Sequence, residues 1–400
     1  MPKLKIFLLL LAAAAAAMLL YYSSVKSTQL THGFGSYYTH SRLLAEGGDM
    51  TAAYDTLYFH SKMSEYGFGR VKDLPNLPTG SLIMLPLSFL EPVKAKVVWS
   101  AISLLALAGS VLLLFRTYNI SFNSIEGLVL LIITFVMNPL YNNMLFGQVY
   151  ALMLLLSAAA LYGVKSGKPI LTAASLTLML LFKGYGIYPL AALLVMKEYR
   201  AFLYTIVFTA VLLLVSLPVF GFSAWQMYYT EFYSVVSYGT FAGHTAYQTI
   251  GSLLMHSFTA VPKVFLYYLT QAVGFTALFF ITRRVMKIGK IAALTCAIAL
   301  NVIFSPAAEN YHYILLLPLV YWAGSRAAAI PKPKKVLILS FTAFTALLII
   351  PLGYLALNTA PFPLFLLGYP RLYAGAALLV ITLYIVSRFP QNKSAESSLH

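Results

Sequence analysis

The chain has 400 residues, 60% of them hydrophobic and only 10% charged, with 27 Lys and Arg against 11 Asp and Glu and a net charge of +16. A soluble domain carries about 25% charged residues, so the composition excludes an ordinary water-soluble protein and points to an all-α polytopic membrane protein. The basic residues fall in short clusters between apolar runs rather than on an extended face, which argues against nucleic acid, and a lone cysteine, Cys296, excludes an internal disulfide or a thiolate metal site.

In chain order, the first element is a run of 17 apolar residues, 6–22, behind a basic start. Its alanine-rich stretch also fits a signal peptide, but the topology below favours an uncleaved first span. A polar segment, 23–95, follows. It holds six of the eleven acidic residues: Glu46, Asp49, Asp55, Glu65, Asp73 and Glu91. Within it, residues 80–92 are apolar but interrupted by Pro86, and read as embedded or interfacial rather than crossing.

Further apolar runs lie at 97–115, 125–142, 145–164, 169–182, 184–196, 201–219, 264–282, 291–305, 312–324, 336–354 and 372–387, about twelve candidate spans with the first. The short pair 169–182 and 184–196 flanks "FKGYG" and predicts a helical hairpin turning in or near the membrane. A second large outer segment is expected at 220–263, and the whole chain reads as one membrane domain.

Placing Lys3 and Lys5 inside puts seventeen basic residues on the inner connectors. Only Lys183, Lys263 and Arg371 fall on the short outer ones. Cytoplasmic N- and C-termini follow from the positive-inside rule.

That topology gathers the exceptional polar residues on the outer side. A charge within a membrane segment costs about 2.5–3.5 kcal/mol on insertion scales, so each such residue needs a reason. Lys183 stands at the hairpin tip, Gln148 follows a glycine in "LFGQVYALMLL", and Glu309 and His312 lie three apart in "SPAAENYHYILLLP". Each also has a plainer explanation. Lys183 can snorkel to headgroups, Gln148 can bridge helices, and His312 can be a hydrogen-bonded core residue. Asp49, after two glycines, can cap a helix, and the tyrosine-rich stretches suit an interfacial belt.

A sugar hydroxyl needs a carboxylate to take its proton, and a lipid phosphate needs a cation. The chain has no Asp-x-Asp pair, Walker loop, dinucleotide fingerprint or HExxH, so an activated sugar must arrive without a nucleotide-binding device.

The order of pieces resembles glycosyltransferase family 87, a branch of the GT-C membrane enzymes. They are "GGDMTAAYDTLYFH", "LPNLPTGSLIMLPLSFLEPVKAKVVW", "LFGQVYALMLLLSAAAL", "LLFKGYGIYPLAALLVMKEYRAF", "AYQTIGSLL" and "SPAAENYHYILLLP". The resemblance implies a GT-C-like bundle with a large first extracytoplasmic loop, using a polyprenyl-phosphate sugar as donor and no cofactor. The acceptor would be lipid-linked or a glycan, and a bacterial inner membrane is the natural setting.

It further implies Asp49 as base, with Asp55 competing, and Lys183 on the donor phosphate, with Arg70 and Lys72 as weaker candidates. His312 would contact phosphate or acceptor, with Glu309 orienting its ring. Gln148, Asn142, Gln248 and Tyr54 would contact substrate. Tyr247 and Thr249 depart from the family pattern around Gln248. The rival reading is a transporter or flippase of lipid-linked glycans, which predicts ionisable groups continuing through the membrane.

Overall fold

The structure, a computed structural model, describes residues 2–69, 75–239, 242–326 and 335–388. Every regular element among these residues is helical. Helix α1 (Pro2–Ser27) extends the first apolar run at both ends. The polar segment after it forms α2 (His32–Ala45), a 3-10 turn at Ala52–Tyr54 and α3 (Thr56–Met63). Residues 78–87 make two short 3-10 turns, Pro78–Ile83 and Leu85–Leu87, far below the ~20 residues of an ordinary helical span.

Helix α4 (Pro92–Tyr118) opens on a proline, whose missing N–H the first turn does not use, and ends at left-handed Asn119. Helices α5 (Ile125–Val136) and α6 (Asn138–Phe146) form one path bent by 42°. Pro139 sits in the first turn of α6, and a proline cannot continue the preceding helix. Helix α7 (Tyr150–Lys165) leads to α8 (Pro169–Lys183) and α9 (Ile187–Val195), the expected hairpin, turned at Gly184 with φ +67°.

Next come α10 (Tyr199–Phe220), α11 (Phe222–Met227), α12 (Ser234–Ser237), α13 (Ile250–Ser257), α14 (Lys263–Val285) and α15 (Lys290–Ile303). A 3-10 stretch, Asn310–Leu316, runs into α16 (Leu317–Gly324), and α17 (Lys335–Ile349) and α18 (Pro370–Arg388) complete the described chain.

Among the described residues, four helices are long and apolar enough to cross a bilayer, namely α1, α4, α10 and α14, or five if the bent pair α5–α6 is one span. The other apolar runs form shorter helices, so length and composition confirm four or five of the twelve expected spans. The reason is visible in α15, where every residue from Ala292 to Ile303 is buried. An interior helix is apolar all round, and hydropathy alone cannot separate it from a span. By contrast α10 exposes Leu203, Val207, Leu214 and Val215, and α14 exposes Phe265, Tyr268, Val273 and Phe280. Such continuous apolar faces are ones that lipid covers.

Helix α7 packs between α4 and α8, α8 against α10, and α15 against α9 and α14. At one end of this core the Lys165 ammonium reaches the Arg116 carbonyl and the Asn119 side chain, and Lys290 pairs with Glu198. These are the connectors expected on the inner side.

Candidate active site

Eight stretches of chain converge on a cavity of about 280 Å³. The lysine hairpin brings Lys183 as the last residue of α8, where a cation suits the helix C-terminus. Its Nζ donates to Asn76 Oδ1 at 2.6 Å and lies 4.8 Å from the centre of the Tyr37 ring, a cation–π distance. Asn76 is itself held: its Nδ2 donates to Ser36 Oγ at 2.9 Å, and its carbonyl accepts from the Tyr54 hydroxyl at 2.7 Å. The polar segment after α1 therefore grips the lysine from two turns of chain.

Gln148 enters between α6 and α7. Gly147 adopts φ +63°, and a Cβ there would lie 2.7 Å from Phe34 Cβ, so only glycine allows the chain this close to α2. Buried Gln148 then accepts a long hydrogen bond from the Tyr37 hydroxyl at 3.4 Å.

Glu309 and His312 come together through a cap rather than along a helix face. Pro306 follows the end of α15, and Glu309 caps the 3-10 stretch reciprocally with His312. The Glu309 N–H donates to His312 Nδ1 at 3.0 Å, and the Tyr311 hydroxyl donates to Glu309 Oε1 at 2.7 Å. On its other side His312 Nε2 meets the Tyr150 hydroxyl at 2.5 Å.

Much of the remaining wall is aromatic. Tyr185 and Tyr188 come from the hairpin, and Tyr228, Phe232 and Tyr233 from the stretch that follows α11. Burial raises the Tyr54 and Tyr228 phenols well above the ordinary tyrosine value, so both are neutral donors.

Lys183, Gln148, Glu309 and His312 thus share one cavity, as their expected common side requires. Other expected residues lie elsewhere. Asp49 is exposed and accepts the Thr51 N–H at 2.8 Å in a local turn. Asp55, also exposed, is the N-cap of α3 and accepts the Tyr58 N–H at 2.9 Å, the role sequence offered to Asp49. Neither lines the cavity. Tyr54 is a layer behind it, against Asn76. Asn142 is half-buried and off the lining. Arg70 and Lys72 lie outside the described residues.

Gln248 is fully buried as a tie: its Nε2 donates to the Thr245 and Gly368 carbonyls, and its Oε1 accepts the Arg371 N–H at 3.0 Å. Arg371, expected on an outer connector, is also fully buried. Its guanidinium donates to Asn310 Oδ1 at 2.8 Å, Asn138 Oδ1 at 2.9 Å and the Ile350 carbonyl at 2.7 Å. It supports the Glu309–His312 segment from beneath.

Sequence reasoning missed Asn76, Tyr37 and Tyr150. Asn76 stands unmarked in the proline-containing stretch that opens "LPNLP", Tyr37 among the tyrosines that suit an interfacial belt, and Tyr150 as one aromatic of an apolar helix.

These features define a membrane protein with a polar, tyrosine-walled cavity carrying one ammonium and one carboxylate among its described lining residues. The chain matches glycosyltransferase family 87 over residues 76–306, more than half its length, and it belongs to that family. It is accordingly a membrane glycosyltransferase acting on a sugar donor and an acceptor. No curated protein matches the chain. The matched region opens on Asn76 and closes on Pro306, and the flanking stretches complete the cavity with Tyr37 on one side and Glu309 and His312 on the other.

Proposed function

We propose that the protein transfers a sugar from a polyprenyl-phosphate donor to a lipid-linked or glycan acceptor, with inversion, at the outer face of the membrane. The observation that carries this reading is Lys183: a half-buried ammonium at the end of an apolar helix, steadied by an amide oxygen and an aromatic face, inside a cavity that also holds Gln148 and Glu309. A phosphate of a lipid-borne donor supplies the anion such a group favours, and the apolar helices around the cavity suit its tail.

In the proposed step the acceptor hydroxyl oxygen bonds to the anomeric carbon while the bond from that carbon to the phosphate oxygen breaks. The bonding pair leaves on the phosphate, and the hydroxyl proton passes to a carboxylate. Lys183 stabilises charge growing on the leaving phosphate. A phosphate leaves without needing a proton, so one base suffices, and a single displacement inverts the centre. Gln148 and the aromatic wall orient the sugars.

Glu309 lines the cavity and takes the base role in this conformation. Asp49 is the rival, because its loop continues to Tyr54, whose hydroxyl touches Asn76 beside Lys183. Purified protein in liposomes, given radiolabelled polyprenyl-phosphate sugars and extracted lipid acceptors, should form a labelled glycolipid. Translocation of label without any new glycosidic product would support a carrier instead. Glu309→Gln losing transfer while Asp49→Asn keeps it fixes the base; the reverse result gives the role to Asp49.

A further inference from the structure

The protonation pattern of His312 is set by the backbone. Nδ1 accepts the Glu309 N–H at 3.0 Å, so that nitrogen must carry a lone pair. A neutral imidazole has one proton, which therefore sits on Nε2. Nε2 faces the Tyr150 hydroxyl, and Tyr150 is then the acceptor of this bond. A group whose outward nitrogen already bears a proton is a poor candidate to remove another.

The ring has little freedom to exchange roles. It is 6% exposed, with the Tyr150, Tyr311 and Tyr185 rings 4.0, 4.8 and 5.4 Å away between centroids. Because His312 donates to it, the Tyr150 oxygen must direct its own proton to another acceptor, the Tyr185 oxygen or a group in the cavity. Tyr185 in turn donates to Ser305 Oγ at 3.2 Å, and Ser305 to the Ala307 carbonyl at 3.4 Å. Proton directions along this wall are thus ordered from the Glu309 amide onward. Tyr150 lines the same cavity as Lys183.

We propose that His312 is a positioning residue and not the base: its Nε2–H orients Tyr150, whose hydroxyl donates to a phosphate oxygen of the lipid-borne donor beside Lys183. This rests on the reading above that the cavity receives that phosphate. Tyr150 would be the residue that touches substrate, and His312 would act only through it.

The two amide analogues of histidine separate the roles. In His312→Gln the side-chain nitrogen falls near the former Nε2 and can still donate to Tyr150, whereas in His312→Asn it falls near the former Nδ1. Steady-state transfer by the full-length protein in liposomes, with the polyprenyl-phosphate sugar titrated, should show His312→Gln within about tenfold of the parent kcat/KM and His312→Asn roughly a further tenfold lower. Tyr150→Phe should raise the donor KM about tenfold with kcat little changed. Adding His312→Asn to Tyr150→Phe should then cost little more, since one acts through the other.

The pH profile of His312→Gln should follow that of the parent. Glutamine and asparagine variants equally inactive, or Tyr150→Phe with an unaltered donor KM, would overturn the proposal. Lys183→Ala is measured in parallel. An unchanged donor KM there removes the phosphate reading itself, whereas a raised KM there beside an unchanged one in Tyr150→Phe removes only the role given to Tyr150. Elution profile and thermal melting of each variant in detergent exclude misfolding, and Tyr150→Phe keeps the ring that packs on His312.

Discussion

Lys183 and Asn76, 107 residues apart in the chain, meet at 2.6 Å between Nζ and Oδ1. That bond joins the tip of the α8–α9 hairpin to the polar segment between α1 and α4. Asn76 is a neutral amide, so this contact holds the ammonium in place without itself cancelling any of its charge.

Replacing the amide should therefore act through donor binding. Asn76→Ala should raise the donor KM by roughly tenfold, the scale of one hydrogen bond to a charged group. Asn76→Asp should be worse than alanine, since a carboxylate would pair with Lys183 and repel the phosphate. Donor titrations of the two variants, side by side, check the order. An aspartate variant better than alanine would mean that Lys183 needs only to be held in place.

Asp55 should prove structural. As N-cap of α3 it accepts one of the helix's unpaired amides. Asp55→Ala should lower stability by about 1 kcal/mol, with Asp55→Ser close to neutral and transfer unaffected in both. Thermal melts and activity measured together separate a cap from a base. Loss of transfer in a folded Asp55→Ser variant would return this carboxylate to the candidate bases.

Much of the site was legible because charge is costly in an apolar environment. Lys183 and Gln148 each had a plainer explanation, snorkelling or a bridge between helices, yet both line the cavity. Glu309 and His312 were readable as a pair, although a reciprocal cap rather than helical spacing joins them. Gln248 and Arg371 show where the method loses its grip. A buried polar group signals either a ligand contact or an internal tie, and only packing reveals which. Asn76 was hidden in a proline-containing stretch, and Tyr150 by a helix in which aromatics are unremarkable. The span count was hard to read for the same kind of reason: α15 is buried on all sides by other helices, and hydropathy does not distinguish such a helix from one that faces lipid.

Gln248 should accordingly respond in stability rather than affinity. Gln248→Ala strips two carbonyls and the Arg371 amide of their buried partner, a loss of about 1–3 kcal/mol for groups left unsatisfied. Melting in detergent should fall while the donor KM of the folded fraction stays the same. An unshifted melt with a raised KM would reinstate Gln248 as a sugar ligand.

His40 should set an acid limit on stability. It is fully buried in α2, neither ring nitrogen has a hydrogen-bond partner, and burial holds its imidazole down at about 3. The unfolded chain binds this proton below about 6.5, while the folded protein refuses it until about 3. Stability is thus complete above that upper value and falls as pH drops through the window, by about 1.4 kcal/mol per pH unit from this residue. His40→Leu should flatten that part of the melting-temperature profile between pH 6.5 and 4. An acid limb that is unchanged in the leucine variant would assign it to other groups.

The central claim is that Lys183 binds the phosphate of a lipid-borne donor. Its most direct measurement is transfer by Lys183→Ala in liposomes, with the polyprenyl-phosphate sugar titrated against the parent protein. The account predicts a fall in kcat/KM of about a hundredfold or more, consistent with losing a charged stabiliser of the leaving group, and partial recovery in Lys183→Arg. Parent-like donor dependence in a folded Lys183→Ala protein would contradict it.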